Sequence, residues 1–234
     1  MMIDEKQVLL LVGSAKHPRS NSQALGSYLC GRLEEEGYRT ETVLLSRALR
    51  SEAGLIALLD ATDHAGLVVL AFPLYVDSLP YLVVKALESI VDHRRGRDRG
   101  AAQRLVSRQR FVAVANCGFP EAHHNDVALA ICRRFAAEAG FRWAGGLALG
   151  GGEALGGQSP AARGGMTRHV VEALDLAAAA LARGEDVPAE AVEMMARPLI
   201  PARLYTWMGG LGWWLQARKH GVARRLRARP YLQE

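Results

Sequence analysis

The stretch Gln7-Val8-Leu9-Leu10-Leu11-Val12-Gly13-Ser14-Ala15-Lys16-His17-Pro18-Arg19-Ser20-Asn21-Ser22 decides how this chain folds. Its first six residues form a continuous apolar run of the length expected for a strand covered on both faces. The run ends at Gly13. Ser20, Asn21 and Ser22 then open a segment in which Leu25, Leu29 and Leu33 recur every fourth residue and which Gly37 closes, the pattern of a capped helix. A buried strand that passes through a polar loop into a helix is the unit from which parallel sheets are built.

Outward from this unit the pattern repeats. Arg39 to Leu45 alternates as a second strand, and Glu52 to Asp60 suits a short helix. Gly66 to Ala71 (GLVVLA) reads as a third, buried strand that Phe72-Pro73 stops. Tyr81 to Val91 is helical by pattern, Phe111 to Ala115 is a fourth strand and Asn125 to Ala139 a helix. Trp143 to Leu149 is a fifth strand interrupted by glycine, followed by a helix from Gly165 to Arg183. These alternations predict an α/β fold, a doubly wound five-stranded parallel sheet with right-handed crossovers, over residues 1–185. Pro188, Pro198 and Pro201 then interrupt the chain, so residues 186–234 are set apart as an aromatic and basic C-terminal extension.

Composition narrows the functional classes. The chain has 234 residues, 50% hydrophobic and 23% charged, enough for a substantial core without disulfides or a structural metal. Its three cysteines, at 30, 117 and 132, have no C-x-x-C spacing, which argues against zinc, a cluster held by this chain alone and a secreted disulfide framework. With no apolar stretch reaching the roughly 18 to 20 residues of a membrane span, the chain is expected to be cytoplasmic. The net charge of +5 is unevenly placed: residues 201–234 hold seven Lys/Arg and one Glu, a net of +6, which leaves −1 for the remainder. The body is therefore near neutral, and no nucleic-acid recognition motif accompanies the basic tail. A second basic run, Arg94, Arg95, Arg97 and Arg99, is expected as a solvated surface loop.

In an open parallel sheet, ligands bind beyond the carboxyl ends of the strands, so the loops there are where chemistry is expected. Gly13 to Ser22 offers small hydroxyl and amide side chains, backbone N–H groups and a helix N-terminus suited to a phosphate, with Lys16, His17 or Arg19 adding charge. It matches neither G-x-x-x-x-G-K-[ST] nor G-x-G-x-x-G. Phe72-Pro73-Leu74-Tyr75-Val76-Asp77-Ser78-Leu79-Pro80 is a proline-stiffened wall that can hold a flat ring. Asn116 to Asn125 (NCGFPEAHHN) is a third loop at the same edge, and Gly150-Gly151-Gly152-Glu153 a fourth that permits close backbone approach.

These loops, GSAKHPRSNSQAL, FPLYVDSLP followed by Lys85, and NCGFPEAHHN, resemble the flavin-binding loops of flavodoxin-like NAD(P)H-dependent FMN reductases and related flavoprotein oxidoreductases over residues 7–183. The resemblance implies that FMN is the cofactor and NAD(P)H the electron donor. The electrons pass to a quinone, nitro or other small acceptor, and no side chain acts as a catalytic acid. It implies that Ser14, Lys16, Ser20, Asn21 and Ser22 hold the FMN phosphate, with Gly13 making the turn. Pro73, Leu74, Tyr75 and Val76 then contact the isoalloxazine, and Asn116, Cys117, Gly118 and Phe119 close the site. The sequence departs from the family in placing Lys16 where an arginine usually follows the Gly-Ser pair, and it lacks the cysteine cluster of iron–sulfur relatives.

Three other readings stand beside this one. The first is an FMN-binding electron carrier or redox-sensing protein without turnover, disfavoured by the near-neutral body. The second is a thiol hydrolase using Cys117 with His123 or His124 as base and Asp126 or Glu121 as orienting carboxylate. The third is a metal site from Glu121, His123, His124 and Asp126, disfavoured because adjacent histidines usually point apart. The tail, with Trp207, Trp213, Trp214 and its arginines, is expected to serve a homodimer or pack on its own domain more than to contact a membrane peripherally.

Overall fold

A computed structural model describes residues 3–16, 20–96 and 109–229. Five strands, β1 (Asp4–Val12), β2 (Arg39–Leu44), β3 (Ala65–Pro73), β4 (Arg110–Asn116) and β5 (Arg142–Leu149), form one sheet in the order β2-β1-β3-β4-β5. Every pairing is parallel. This is the flavodoxin-like order of a doubly wound sheet, as the sequence predicts.

Because alternate side chains of a strand point to opposite faces, each central strand feeds two cores. Val8, Leu10 and Val12 of β1 join Val69 of β3 and Val112 and Val114 of β4 under α1 (Asn21–Glu35). Leu9 and Leu11 join Val68, Leu70, Phe72 and Phe111 on the other face, under α4 (Tyr81–Arg95), where Val83 lies fully buried. Each fully buried leucine contributes about 1.5–3 kcal/mol relative to exposure, so the unbroken apolar runs of β1, β3 and β4 are what pin the sheet between its helices. α1 presents Leu25, Leu29 and Leu33 to the first core, which is the four-residue spacing read in the sequence. Ser20 accepts from the Gln23 amide at 3.2 Å and so caps α1.

Several boundaries differ from the sequence reading for identifiable reasons. β3 continues through Phe72-Pro73, because Phe72 is fully buried and Pro73, at the last rung opposite Asn116, closes the strand without interrupting the ladder. A short helix α2 (Leu45–Ala48) follows β2, and α3 (Glu52–His64) runs on to the start of β3. The helix expected from Gly165 begins later, as α6 (Arg168–Ala182). A 3-10 segment precedes it, in which Gly164 has a non-helical φ of 62°. α5 (Asp126–Ala139) lies where the periodicity places it.

The basic run at 94–99 is not simply a solvated loop. Arg94 lies inside α4 with its guanidinium over the Phe141 ring, 4.0 Å from the centroid, and donates to Ala139 O at 2.9 Å and Gln109 Oε1 at 2.7 Å. The buried Asp63 beneath it also meets His93 Nε2 at 2.8 Å. Arg94 thus ties α3, α4 and α5 together at the amino edge of the sheet, a use of charge that spacing alone does not reveal. Arg97 and Arg99 lie outside the described residues.

The chain divides into two compact units, the first ending at Leu199. This is beyond the boundary at residue 185 drawn from the prolines, because α7 (Ala189–Met195) inserts Ala191, Met194 and Met195 into the first core. The second unit holds α8 (Ala202–Lys219) and a 3-10 turn at Ala223–Arg225, with Val222 N bonded to Ala217 O at 2.8 Å. α8 is continuous across Gly209, Gly210 and Gly212, each of which costs an exposed helix about 1 kcal/mol relative to alanine.

Gly13 is fixed by packing. Its amide donates to Ala71 O at 2.8 Å, and a Cβ there would stand 2.3 Å from Val83 Cγ2 and 2.9 Å from Phe72 Cβ. Gly13→Ala should therefore destabilise the protein by about 1–3 kcal/mol, and adding Val83→Ala should recover part of the loss. Thermal unfolding checks this; an unchanged melting temperature for the single variant would show that the packing is looser than described.

Candidate functional site

In this strand order the chain leaves β1 toward one side of the sheet and β3 toward the other, so the loops after them part and leave a crevice at the carboxyl edge. A groove opens there. It is lined by Ser14, Lys16, Asn21 and Ser22 from the first loop and by Pro73, Leu74 and Tyr75 from the second. Asn116, Cys117 and Gly118 come from the third loop, and Glu153 from the fourth. Residues more than 130 positions apart in the chain, Ser14 and Glu153, meet in it.

Hydrogen bonds between loops hold this arrangement. The buried Ser22 hydroxyl donates to Asn116 Oδ1 at 2.7 Å, joining the N-terminus of α1 to the end of β4. Leu74 N donates to Asn116 O at 2.8 Å, which fixes the second loop to the third. Asn21 Oδ1 accepts from Gly157 N at 2.6 Å, and Ser14 Oγ accepts from Lys16 N at 3.2 Å. Gly151 N donates to Phe119 O and Gly152 N to Cys117 O, so the third and fourth loops interlock. Only glycine serves at position 150, where a Cβ would stand 2.2 Å from Pro120 O.

The second loop carries strain. Tyr75 and Ser78 exchange two backbone hydrogen bonds at 3.0 and 3.1 Å around a tight turn. Its central residues, Val76 and Asp77, have φ of 49° and 57°. A β-branched residue in the left-handed region costs about 1–3 kcal/mol, and such strain gathers at ligand sites. The turn holds Tyr75, about half exposed, at the mouth of the groove.

Four residues assigned to a ligand by the resemblance take other places. Gly13 packs against Val83 and Phe72 rather than shaping a turn through an unusual φ. Ser20 is buried, caps α1, and lines a neighbouring groove beside Gly157 and Ser159. Val76 is 97% exposed at the tip of its turn, and Phe119 stacks on His124 with ring centroids 4.4 Å apart. His17 and Arg19 lie outside the described residues. Conversely, Glu153 enters the groove, a residue that the sequence places in the fourth loop without giving its side chain a role. The positive φ of 65° at Gly151 and the bonds from Gly151 and Gly152 that place Glu153 have no one-dimensional signature.

Cys117 is not arranged as a nucleophile. Its Sγ lies 3.4 Å from Phe119 O and 3.6 Å from Glu121 O, and it accepts from Asn125 Nδ2 at 3.4 Å. Burial pushes its thiol above the ordinary pKa, and hydrogen bonds with the Phe119 backbone, Asn125 and the Gly151 backbone offset this only in part. An activated thiol needs the opposite shift. His123 and His124, expected to point apart, stack on each other at 4.6 Å within a 3-10 turn, and His124 Nε2 stands 3.9 Å from Glu121. Among the described residues no group of three or more His, Cys, Asp or Glu is placed to hold a metal ion. What the groove offers is a polar end of hydroxyl, amide and ammonium groups at the α1 N-terminus and an apolar, aromatic end with exposed backbone at Gly118.

No family model and no curated protein matches the sequence. Among solved structures the chain is similar to an apo NADH:FMN oxidoreductase, at 16% identity and a TM-score of 0.55 over 83% of this chain and 96% of that one. It is also similar to the Trp repressor binding protein from Bacillus subtilis, at 11% identity and a TM-score of 0.50 over 62% and 84% of the two chains. A third likeness is to rubredoxin oxygen:oxidoreductase from Desulfovibrio gigas, at 14% identity and a TM-score of 0.51 over 76% of this chain and 36% of that one. At these identities the likeness is one of fold, and the fold is flavodoxin-like.

The thiol geometry has a direct consequence. Burial raises Cys30 and Cys132 to about 12 and Cys117 above its ordinary value, so little thiolate exists at neutral pH and more forms only as pH rises. In the native protein all three should react with iodoacetamide at pH 7 at least about tenfold more slowly than an exposed cysteine, and at the exposed rate once unfolded. Mass spectrometry of timed samples checks this; rapid native labelling of Cys117 would restore the nucleophile reading.

Proposed function

We propose that the chain is an FMN-dependent oxidoreductase that passes electrons from NAD(P)H to a quinone, nitro compound or other small acceptor. The observation that carries this reading is the groove itself, in which loops from β1, β3, β4 and β5 join a phosphate-suited end to a ring-suited end at the β1/β3 crevice. The donor set fits the cofactor. Lys16 and Ser14 beside the N-terminus of α1 supply a cation, a hydroxyl and the positive end of a helix for a phosphate. A Cβ added at Gly118 would meet nothing within 4 Å, so the third loop is uncrowded at this lining position. The solved neighbour with the TM-score of 0.55 is named for NADH and FMN, which supports the same reading.

FMN, when bound, would supply the hydride and electron transfer chemistry. The chain's own residues bind and orient. Lys16, Ser14 and the α1 amides hold the phosphate, while Ser22 braces Asn116 rather than reaching the ligand. Leu74 and Tyr75 form the wall of the ring end, and Cys117 and Gly118 line it from the third loop. Glu153 offers acceptor oxygens suited to ligand hydroxyls.

Titrating the purified protein with FMN and with riboflavin tests this. The protein should bind FMN more tightly, and Ser14→Ala with Lys16→Met should weaken FMN about 10- to 100-fold while changing riboflavin little. Under anaerobic conditions NADH or NADPH should bleach the bound flavin and a quinone restore it, in the wild type and in Cys117→Ala alike. Absence of flavin binding would refute the proposal. Bound FMN that neither nicotinamide reduces would make the protein an electron carrier, and loss of turnover in a Cys117→Ala variant that still binds FMN would favour thiol chemistry.

A further inference from the structure

We infer that α8 and the basic segment behind it form a docking surface for anionic lipid. The inference rests on the second unit alone and does not depend on the flavin reading. With each residue turning about 100° around a helix axis, Leu204, Trp207, Met208, Leu211, Trp214 and Leu215 fall on one arc of about 120°. These side chains are exposed, Trp207 at 64% and Trp214 at 42%. Arg203 and Lys219 border the arc on its two sides, and Arg218, which falls within the arc at its C-terminal end, lays its guanidinium over the Trp214 ring, 5.5 Å from its centroid. The opposite arc holds Thr206, Gly209, Gly210, Gly212 and Gln216 together with Tyr205 and Trp213, the latter 71% exposed, so aromatic side chains also stand outside the main apolar arc. An apolar arc edged by tryptophan and flanked by cations that can reach outward is the pattern of a helix lying in a bilayer interface.

Charge decides between the two occupants that could cover such an arc. From Ile200 to Arg229 the sequence holds seven Lys/Arg and no Asp or Glu, and four of the arginines, 224, 225, 227 and 229, follow α8 closely. Pairing α8 with α8 of a second copy, parallel or antiparallel, sets Arg203 against Arg203 or Arg218 with no acidic partner in the segment. An anionic headgroup layer neutralises these charges and receives the apolar arc together. Among the described residues no helix is long and apolar enough to cross a membrane, so the contact is one of lying in the interface.

Flotation of the full-length protein with vesicles tests this. The wild type should float with phosphatidylcholine–phosphatidylglycerol vesicles and not with phosphatidylcholine alone, with a blue shift of tryptophan emission that high salt reverses. Replacing Arg224, Arg225, Arg227 and Arg229 by Ser should weaken binding roughly 100- to 1000-fold. Trp207→Ser with Trp214→Ser should abolish the blue shift while leaving the melting temperature of the protein unchanged, because both side chains are exposed. The inference is overturned if the wild type does not float with anionic vesicles, or binds neutral and anionic vesicles equally. It is likewise overturned if the tryptophan variant floats as the wild type does, or if those substitutions instead convert a vesicle-free dimer to monomer.

Discussion

The hydrogen bond from Ser22 Oγ to Asn116 Oδ1, 2.7 Å long and buried, is the interaction on which the groove depends. It joins the first turn of α1 to the last residue of β4, across the crevice that the strand order opens. Asn116 then passes the constraint on, because its carbonyl accepts from Leu74 and so sets where the second loop begins. A buried acceptor left unpaired costs about 1–3 kcal/mol, so Ser22 is better understood as the brace of the site than as a contact to any ligand.

Around this brace the second, third and fourth loops are held for separate reasons. The second is a tight turn with two residues in the left-handed region, and the third is clamped to the fourth by bonds from Gly151 and Gly152. Cys117 sits inside the clamp, and its partners are carbonyls and an amide, so it contributes shape rather than reactivity. A groove prearranged in this way spends little ordering energy on binding, which suits a flat, rigid ligand with a charged end.

The sheet and the edge that carries the groove were legible in the sequence because parallel strands buried on both faces write themselves as unbroken apolar runs, as QVLLLV and GLVVLA do. The order of the loops along that edge then followed from topology. Side-chain roles within the loops were less legible. Ser20 and Ser22 belong to one polar triplet, yet one caps a helix and the other braces a strand end, a distinction made by partners 3 and 94 residues away. Gly13 and Gly150 look like flexible turn residues in one dimension but are required by close packing. Arg94 reads as part of a solvated basic run until Gln109 and Phe141, the residues just before β4 and β5, arrive to bury it.

The central claim is that the four loops act as one flavin site. Following backbone amide shifts by nuclear magnetic resonance while FMN is added tests it most directly. The account predicts that Ser14, Asn21, Leu74, Gly118 and Glu153 shift together and saturate at a single affinity, while Lys6, Arg110 and Gly184, at the amino edge of the sheet, stay still. Shifts centred on that amino edge, or confined to one of the four loops, would contradict it.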